Sequence, residues 1–455
     1  MLGSNTRTQR SVSSVQLPAE FIASASAAPH FNYLTKDFVI DLRRKENKET
    51  PQDNGDERRG VSKTGLKDLL HQRWEAAKKF DAFNYSLNCM YRCLDGQYEL
   101  SMQLNIERGD LRRKPMHFKN IKEPFNSHRF NFTKLNDREV MMYLKCEDDP
   151  LSDDPLDRHL VAVNASPLER DHSLIIPSVN KCLPQVLTPL AVRLAVDLML
   201  LAQDDGFHVL FNSLLGQASV NHLHLHCLYW PYDSDLINRK HESLHDVENA
   251  YVIRPPRWLC SAFVFQLTDV NLYSKFKENI FKCVEYLTTQ NQAHNLFFTR
   301  AQPIRVTGPD REEDRKGLRP QYVTAYIFPR TNMIGAKPPN NFNPAANELA
   351  GNLTAYTIRF FEAATEQAVV RIIEEEASLA DDVFQNLCFD LADILSARPL
   401  GTSRPSKNSL LEGLTSPEID ELRDSFQSFM PRSPTIRDRK DRTQSAPERV
   451  QFHVS

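Results

Sequence analysis

The chain has 455 residues, 41% hydrophobic and 25% charged, an ordinary globular mix with enough apolar material for one large core or two. A formal net charge of −3 argues against a nucleic-acid partner, which a whole-chain basic field would attract. Mean hydropathy is −0.48 and no apolar run approaches the roughly 18 residues of a membrane helix, which argues against a membrane partner too.

The first segment, MLGSNTRTQRSVSSV, lacks the apolar stretch of a secretory signal. Residues 1–30 are rich in Ser, Ala and Thr, and RRKENKETPQDNGDERRGVSK (43–63) is a solvated charge run, so 1–63 is expected to be disordered or weakly ordered. A helix is then predicted over KDLLHQRWEAAKKFDAF (67–83), where Leu69, Leu70, Trp74, Ala77 and Phe80 recur near 3.6-residue spacing. Strands are predicted at YELSMQLNI (98–106), HLVAVNA (159–165) and SLIIP (173–177). LTPLAVRLAVDLMLLAQ (187–203) is apolar nearly all round and reads as a buried helix. FHVLFNSL (207–214) is a strand entering a turn, and NHLHLHCLYW (221–230) is the next strand.

The second half of the chain loosely paraphrases the first: AFVFQL (262–267) as a strand, FKENIFKCVEYLTTQ (276–290) as a helix, HNLFFTR (294–300) and YVTAYIFPR (322–330) as strands. Helices are expected over AANELAGNLTAYTIRFFEAA (345–364) and ADDVFQNLCFDLADIL (380–395), and Pro, Ser, Arg and Asp dominate the disordered tail, 398–455. Strands and helices mix without regular alternation, so the fold class is α+β, with one half at 64–235 and a second at 236–397.

Three histidines at every second position, His222, His224 and His226, share one face of a strand, while Leu223, Leu225 and Cys227 line the other. Three chemistries suit that face. Core histidines would each need a buried hydrogen-bond partner. A zinc site often takes two imidazoles from an HxH strand, but beyond Cys227, which points the other way, no carboxylate or further cysteine lies close downstream, and Asp233 and Asp235 sit past the Trp230-Pro231 turn. Phosphorus chemistry suits the preceding turn, FNSLLGQASVNH, whose backbone N–H groups and small polar side chains can hold phosphate oxygens. An imidazole with a pKa of ~6.5 is largely unprotonated at neutral pH and attacks phosphorus.

GQASVNHLHLHCLYW (216–230) resembles the signature of the histidine-triad superfamily, and VNASPLERDHSLIIP (163–177) resembles that superfamily's upstream strand and turn. Over 84–395 the chain is similar to one branch, the GDP-D-glucose phosphorylases, relatives of the plant GDP-L-galactose phosphorylases. RFNFTKL (129–135), FNSLLGQASVNHLH (211–224), HNLFFTR and FNPAANELAG (342–351) carry that closer likeness. The resemblance implies a histidine-triad-like fold whose two halves form an intramolecular pseudo-dimer, with the second half degenerate because YVTAYIFPR stands where the first has NHLHLHCLYWP. It implies His224 as nucleophile, His222 and His226 as its orienting and phosphate-binding neighbours, and His172 as an upstream buttress. Ser219, Gln217 and Asn212 match phosphate-contacting positions, and Asn164 matches a ribose-facing one.

The implied reaction is a double displacement: His224 attacks the α-phosphorus of GDP-glucose, glucose 1-phosphate leaves, and inorganic phosphate releases GDP. A phosphate leaving group needs little protonation, so no cofactor or metal is expected. One departure is His226, where transferases of the superfamily often carry Gln, as hydrolases do not; water therefore stays open as second acceptor. A nucleotide hydrolase is the near alternative, and a non-catalytic nucleotide-binding adaptor the alternative from another class.

Other features have blander readings. Lys134 and Arg300 are candidates for substrate phosphates, or ordinary strand-end charges. Asn131 and Asn295 are candidates for base or sugar contacts. Cys227 should be packed, and the eight scattered cysteines, with no CxxC, suit reduced thiols in the cytosol. Neither GxGxxG nor a P-loop motif occurs. RTQSAP (442–447) offers Ser445 to a phosphoserine-reading adaptor, a pattern frequent in tails.

Overall fold

Leu66, Leu70, Trp74 and Ala77 fall on one stripe of the first helix, and that stripe is buried while Phe80, past its end, is exposed. In the computed structural model, residues 28–42, 65–113, 116–148, 157–308, 321–334 and 341–396 are described. The tail with Ser445 lies outside them.

The strands in chain order are β1 (His30–Tyr33), β2 (Met90–Cys93), β3 (Ser101–Leu104), β4 (Val140–Cys146), β5 (His159–Val163), β6 (Ser173–Ile176) and β7 (Phe207–Asn212). They continue as β8 (Leu225–Tyr229), β9 (Glu242–Ser243), β10 (Ala250–Ile253), β11 (Ala262–Leu267), β12 (His294–Ala301), β13 (Tyr322–Pro329) and β14 (Asn352–Ala355). The helices are α1 (Leu66–Lys79), α2 (Ile106–Leu111), α3 (Pro189–Ala202), α4 (Tyr273–Thr289), α5 (Ala346–Leu349), α6 (Ile358–Ala363), α7 (Glu366–Glu376) and α8 (Asp381–Leu395).

Eleven strands form one sheet in the order β1-β4-β5-β6-β8-β7-β12-β13-β11-β10-β9, and β14-β3-β2 form a small second sheet. Within the large sheet only the β1–β4 pair is parallel. Strands from the two halves meet where β7 pairs with β12, Asn212 opposite Asn295.

Helices α1, α3, α4 and α8 cover one face of the large sheet, on Leu223, Leu225, Cys227, Phe263, Phe298 and Ile327 among others. The small sheet and α5 to α7 cover part of the other face, on Leu210, Leu228, Trp230, Phe297 and Tyr326. The mixed α/β class thus takes the form of a large, nearly antiparallel sheet between two unequal layers. Helix α3 is buried on most sides, as its composition predicts; Thr188 caps its first turn by accepting from the Ala191 N–H, and Pro189 opens it. Its one buried carboxylate, Asp197, accepts from the Tyr33 hydroxyl at 2.8 Å and from that of Tyr273.

Three local expectations change. Residues 28–42, in the segment expected to lack order, contribute β1, because His30–Tyr33 finds the free edge of β4. The 345–364 stretch is not continuous helix: it is α5, then β14, then α6, with β14 running parallel to β3. Gly351 makes that break at φ +93, where a Cβ would stand 3.1 Å from Trp258. Ladder pairing of the histidine strand starts only at Leu225, although the in-out alternation already holds from Leu223. No helix among the described residues is long and apolar enough to cross a membrane.

Replacing Gly351 by Ala forces a side chain into a left-handed turn against an indole. The expected cost is about 1–3 kcal/mol of stability, read as a lower urea midpoint with an unchanged m-value.

Candidate active site

β8 alternates between the two layers, so His226 faces the opposite side from Cys227 and joins His224 in a cleft. The cleft lies beside the small sheet and is lined by three histidines, His172, His224 and His226. Ser219, Gln217, Asn212 and Asn164 line it as well, so most of the residues picked from the sequence converge there.

Hydrogen bonds set the tautomer of each ring. His224 Nδ1 lies 2.8 Å from the His222 carbonyl, so it carries the proton and donates, leaving the Nε2 lone pair free. Gln185 clamps the same residue's backbone: its Oε1 accepts from the His224 N–H at 2.9 Å and its Nε2 donates to the His224 carbonyl at 3.0 Å. A second chain runs through the buttress. Leu168 N–H donates to His172 Nδ1 at 2.9 Å, which places the His172 proton on Nε2. That proton is donated to His226 Nδ1 at 3.0 Å, which leaves His226 Nε2–H as a donor. The cleft therefore holds one imidazole lone pair beside one imidazole N–H.

His222 plays a different part from its neighbours. Its ring lies outside the cleft lining, packed between Phe125 and Phe132, and its Nδ1 accepts from the Phe132 N–H at 3.0 Å. It serves His224 through its carbonyl, and Phe132 packs on the His224 ring with centroids 4.9 Å apart. A zinc cage would need several ring nitrogens to converge as acceptors. Here Nδ1 of His172, His222 and His226 accepts a hydrogen bond, which puts the proton of each on Nε2 and leaves His224 Nε2 as the one free lone pair of the four rings, and no group of three His, Cys, Asp or Glu among the described residues is arranged as metal ligands.

Burial holds all four imidazoles neutral. It lowers the His224 pKa to about 4, with nearby Arg113 adding to the effect and the His222 carbonyl opposing it. Burial lowers His222 to about 3 and takes His172 and His226 well below the usual histidine value. Cys227, on the other side of β8, is pushed up to about 12 by burial, so it is packed and unreactive as expected.

The turn before the histidines is built for close approach. Leu215 and Gln217 take positive φ, and a Cβ on Gly216 would stand 2.7 Å from Ser213 Oγ. Asn212 Oδ1 accepts from Asn295 Nδ2 at 2.6 Å and from Ala346 N–H at 3.0 Å, so the Asn212 amide group is left to donate. Asn295 also donates to the Gly216 carbonyl at 2.6 Å; it supports the turn rather than holding base or sugar. Asn131 is likewise structural, its Oδ1 accepting from the Thr133 N–H and hydroxyl beside Phe132.

Two candidates are not brought to the cleft. Arg300 is fully buried in β12 and donates to the carbonyls of Val39, Ile40 and Met199 at 2.7–3.0 Å, tying the segment after β1 to α3. Lys134 is exposed, and its ammonium donates to the carbonyls of Ser127 and Arg129. Neither lines the cleft, because each satisfies backbone carbonyls left over by irregular chain.

Sequence reasoning misses the cleft's own cations. Arg108, Arg112 and Arg113, on and just after α2, all line it. Their run, ERGDLRRK (107–114), is visible as a concentration of arginines but carries no recognised motif. Glu348 also lines the cleft; burial raises its pKa to about 7, and Arg108 and Arg112 oppose the shift. Gln185 has no sequence signal at all.

A neutral imidazole lone pair, phosphate-sized donors and a wall of arginines define the equipment of an enzyme that transfers nucleotidyl groups. Residues 65–228 match the family model described as "GDPGP1-like, N-terminal domain" and residues 248–397 match "GDPGP1-like, C-terminal domain". GDP-D-glucose phosphorylase 1 of Caenorhabditis elegans is 72% identical over 439 residues, 96% of this chain and 91% of that protein. The Homo sapiens protein of the same name is 33% identical, over 69% of this chain and 80% of its own. GDP-L-galactose phosphorylase 1 of Arabidopsis thaliana is 24% identical over 71% of this chain and 72% of that protein. Among solved structures, yeast Ap4A phosphorylase Apa2 in complex with Ap4A aligns with a TM-score of 0.46 at 16% identity, over 69% of this chain and 98% of its own. The chain belongs to the GDP-D-glucose phosphorylase family.

The burial pattern sets two outcomes. Arg300→Met should lower stability by about 3–5 kcal/mol in urea denaturation, while turnover per folded molecule stays near that of the unsubstituted protein. Acidification has a definite sign. The unfolded chain protonates its histidines near 6.5, whereas folded His224 takes a proton only near 4. Unfolding therefore absorbs protons as pH drops through that window, and this part of the stability, complete above 6.5, is lost progressively. Between pH 7.5 and 5 the urea midpoint should fall.

Proposed function

We propose that the cleft moves a guanylyl group from GDP-D-glucose to inorganic phosphate, yielding D-glucose 1-phosphate and GDP through a guanylyl-His224 intermediate. The observation that carries this reading is the His224 tautomer: Nδ1–H is held by the His222 carbonyl and Nε2 lines an arginine-walled cleft as a free lone pair. In the first displacement Nε2 attacks the α-phosphorus, and the bond to the β-phosphate oxygen breaks with its electron pair leaving on glucose 1-phosphate. In the second, a phosphate oxygen attacks the same phosphorus, and the P–N bond breaks to return the lone pair to Nε2.

Ser219, Gln217 and the Asn212 amide serve the non-bridging oxygens, His226 Nε2–H donates to the phosphate, and Asn164 meets the ribose. His172 fixes the His226 proton. Substrate-sized phosphates need no cofactor in this scheme, because the charge developing on them meets fixed donors. His226 at the third position keeps water available as acceptor, so hydrolysis to GMP is the second reading.

The topology supports a histidine-triad-like pseudo-dimer with halves 64–235 and 236–397. In the first half β6, α3, β7 and β8 follow one another; in the second β11, α4, β12 and β13 do. Their spatial orders, β6-β8-β7 and β12-β13-β11, are reversed about the β7–β12 junction, as a local two-fold would require. β13 carries Thr324, Tyr326 and Phe328 and no histidine, which suits a silent half. The cysteines, free throughout, suit the cytosol.

His224→Ala should abolish covalent labelling by the guanine nucleotide and cut turnover at least about a thousandfold. Undiminished turnover in that variant would defeat the assignment. Product analysis with and without phosphate separates the acceptors, since phosphate-dependent GDP marks phosphorolysis and GMP marks hydrolysis.

A further inference from the structure

Three arginines line the cleft, but they are not equally free. Arg108 donates to the Ser166 carbonyl and holds the turn that carries Asn164. Arg112 lies over the Tyr356 ring and donates to its hydroxyl at 3.3 Å. Arg113 has neither tether. Its guanidinium lies over the face of Phe130, 3.2 Å from the ring centroid, and it makes no hydrogen bond or ion pair among the described residues. Phe130 packs edge-on against Phe132 with centroids 5.9 Å apart, and Phe132 packs on His224. Arg113 is thus a cation held on an aromatic shelf one ring from the nucleophile, and near enough to act electrostatically on it.

We propose that Arg113 anchors the acceptor phosphate and so selects phosphate over water. This rests on the covalent-histidine reading above. Both displacements occur in line at one phosphorus, so the incoming group must arrive on the side from which the leaving group departed. One subsite therefore receives the β-phosphate of GDP-glucose as it leaves and inorganic phosphate as it enters. A guanidinium with open donors grips such a dianion through two parallel N–H bonds, and it offers water no comparable advantage. Water is far more concentrated than phosphate, so a phosphorylase needs a dedicated anion grip to favour the scarcer acceptor. In the step itself a phosphate oxygen bonds to the α-phosphorus, the P–N bond to His224 breaks, and the acceptor's remaining proton stays on the new β-phosphate of GDP before equilibrating with solvent.

The test uses the full chain with two substitutions. Arg113→Met keeps an unbranched side chain over Phe130 without the charge; Arg113→Lys keeps the charge without the fork. Initial rates are measured against phosphate concentration, GDP and GMP are quantified together, and nucleotide labelling of His224 is followed without phosphate. For Arg113→Met the phosphate KM should rise at least about tenfold and the GMP-to-GDP ratio by a similar factor, and labelling by GDP-glucose should slow as well, because the same subsite holds its departing β-phosphate. Arg113→Lys should recover much of the phosphate preference. An unchanged phosphate KM and product ratio in Arg113→Met overturns the proposal, and so does a loss of turnover that leaves the GMP-to-GDP ratio where it was. Lack of phosphate-dependent GDP release by the unsubstituted protein would instead overturn the underlying reading, and the role of Arg113 with it.

Discussion

The proton on His224 Nδ1 is donated to a carbonyl of its own segment, 2.8 Å from the nitrogen, and the chemistry of the cleft hangs on that bond. With the proton held there, Nε2 is a lone pair; were the proton on the other nitrogen, Nε2 would face the cleft as a donor. The bond spans only two residues, so it exists only while the backbone from His222 to His224 keeps one conformation. Gln185 enforces that conformation by engaging both the N–H and the C=O of His224. Its own N–H is in turn held by Asn221 at 2.8 Å, and Asn221 donates to the carbonyls of Glu123 and Pro124. A tautomer is thereby fixed by loops far apart in the chain.

Desolvation and charge work in one direction at this site. Taking an imidazole out of water disfavours its cation, and an arginine nearby disfavours it further. His172, His224 and His226 all experience both, with Arg108 acting on the first and third and Arg113 on the second. The arginines that line the cleft therefore also help keep its imidazoles unprotonated. The arginines are themselves held apart from the cleft's carboxylates: Glu348 turns one oxygen back to the Ala345 N–H, and Glu139 to the Asn136 N–H. Neither carboxylate closes an ion pair with Arg113 among the described residues.

The large sheet supplies rigidity where the chemistry demands it. β7 and β8 are central strands with partners on both sides, so the turn from Asn212 to the histidines is anchored at each end. The second half reaches into that turn directly, through Asn295 on β12 and the Ala346 N–H of α5, which together orient the Asn212 amide. A half without histidines of its own in β13 thus still contributes to the cleft as a support.

Period-two alternation in LHLHCLY and the apolar length of α3 are local properties, written in adjacent residues, and so the sequence alone told which segment carries the imidazoles, that His224 and His226 share a face and which helix is buried. The superfamily likeness was equally local, because it resides in two short blocks whose members touch one another in the fold. Gln185, Arg113 and the true roles of His222, Lys134 and Arg300 were not legible there. Each depends on which carbonyl, ring or amide lies opposite after packing, and such partners come from segments tens or hundreds of residues away. Arg300 illustrates the reason: a strand-end arginine looks the same in sequence whether it meets a phosphate or three backbone carbonyls, and only the chain's return past Val39, Ile40 and Met199 decided between them.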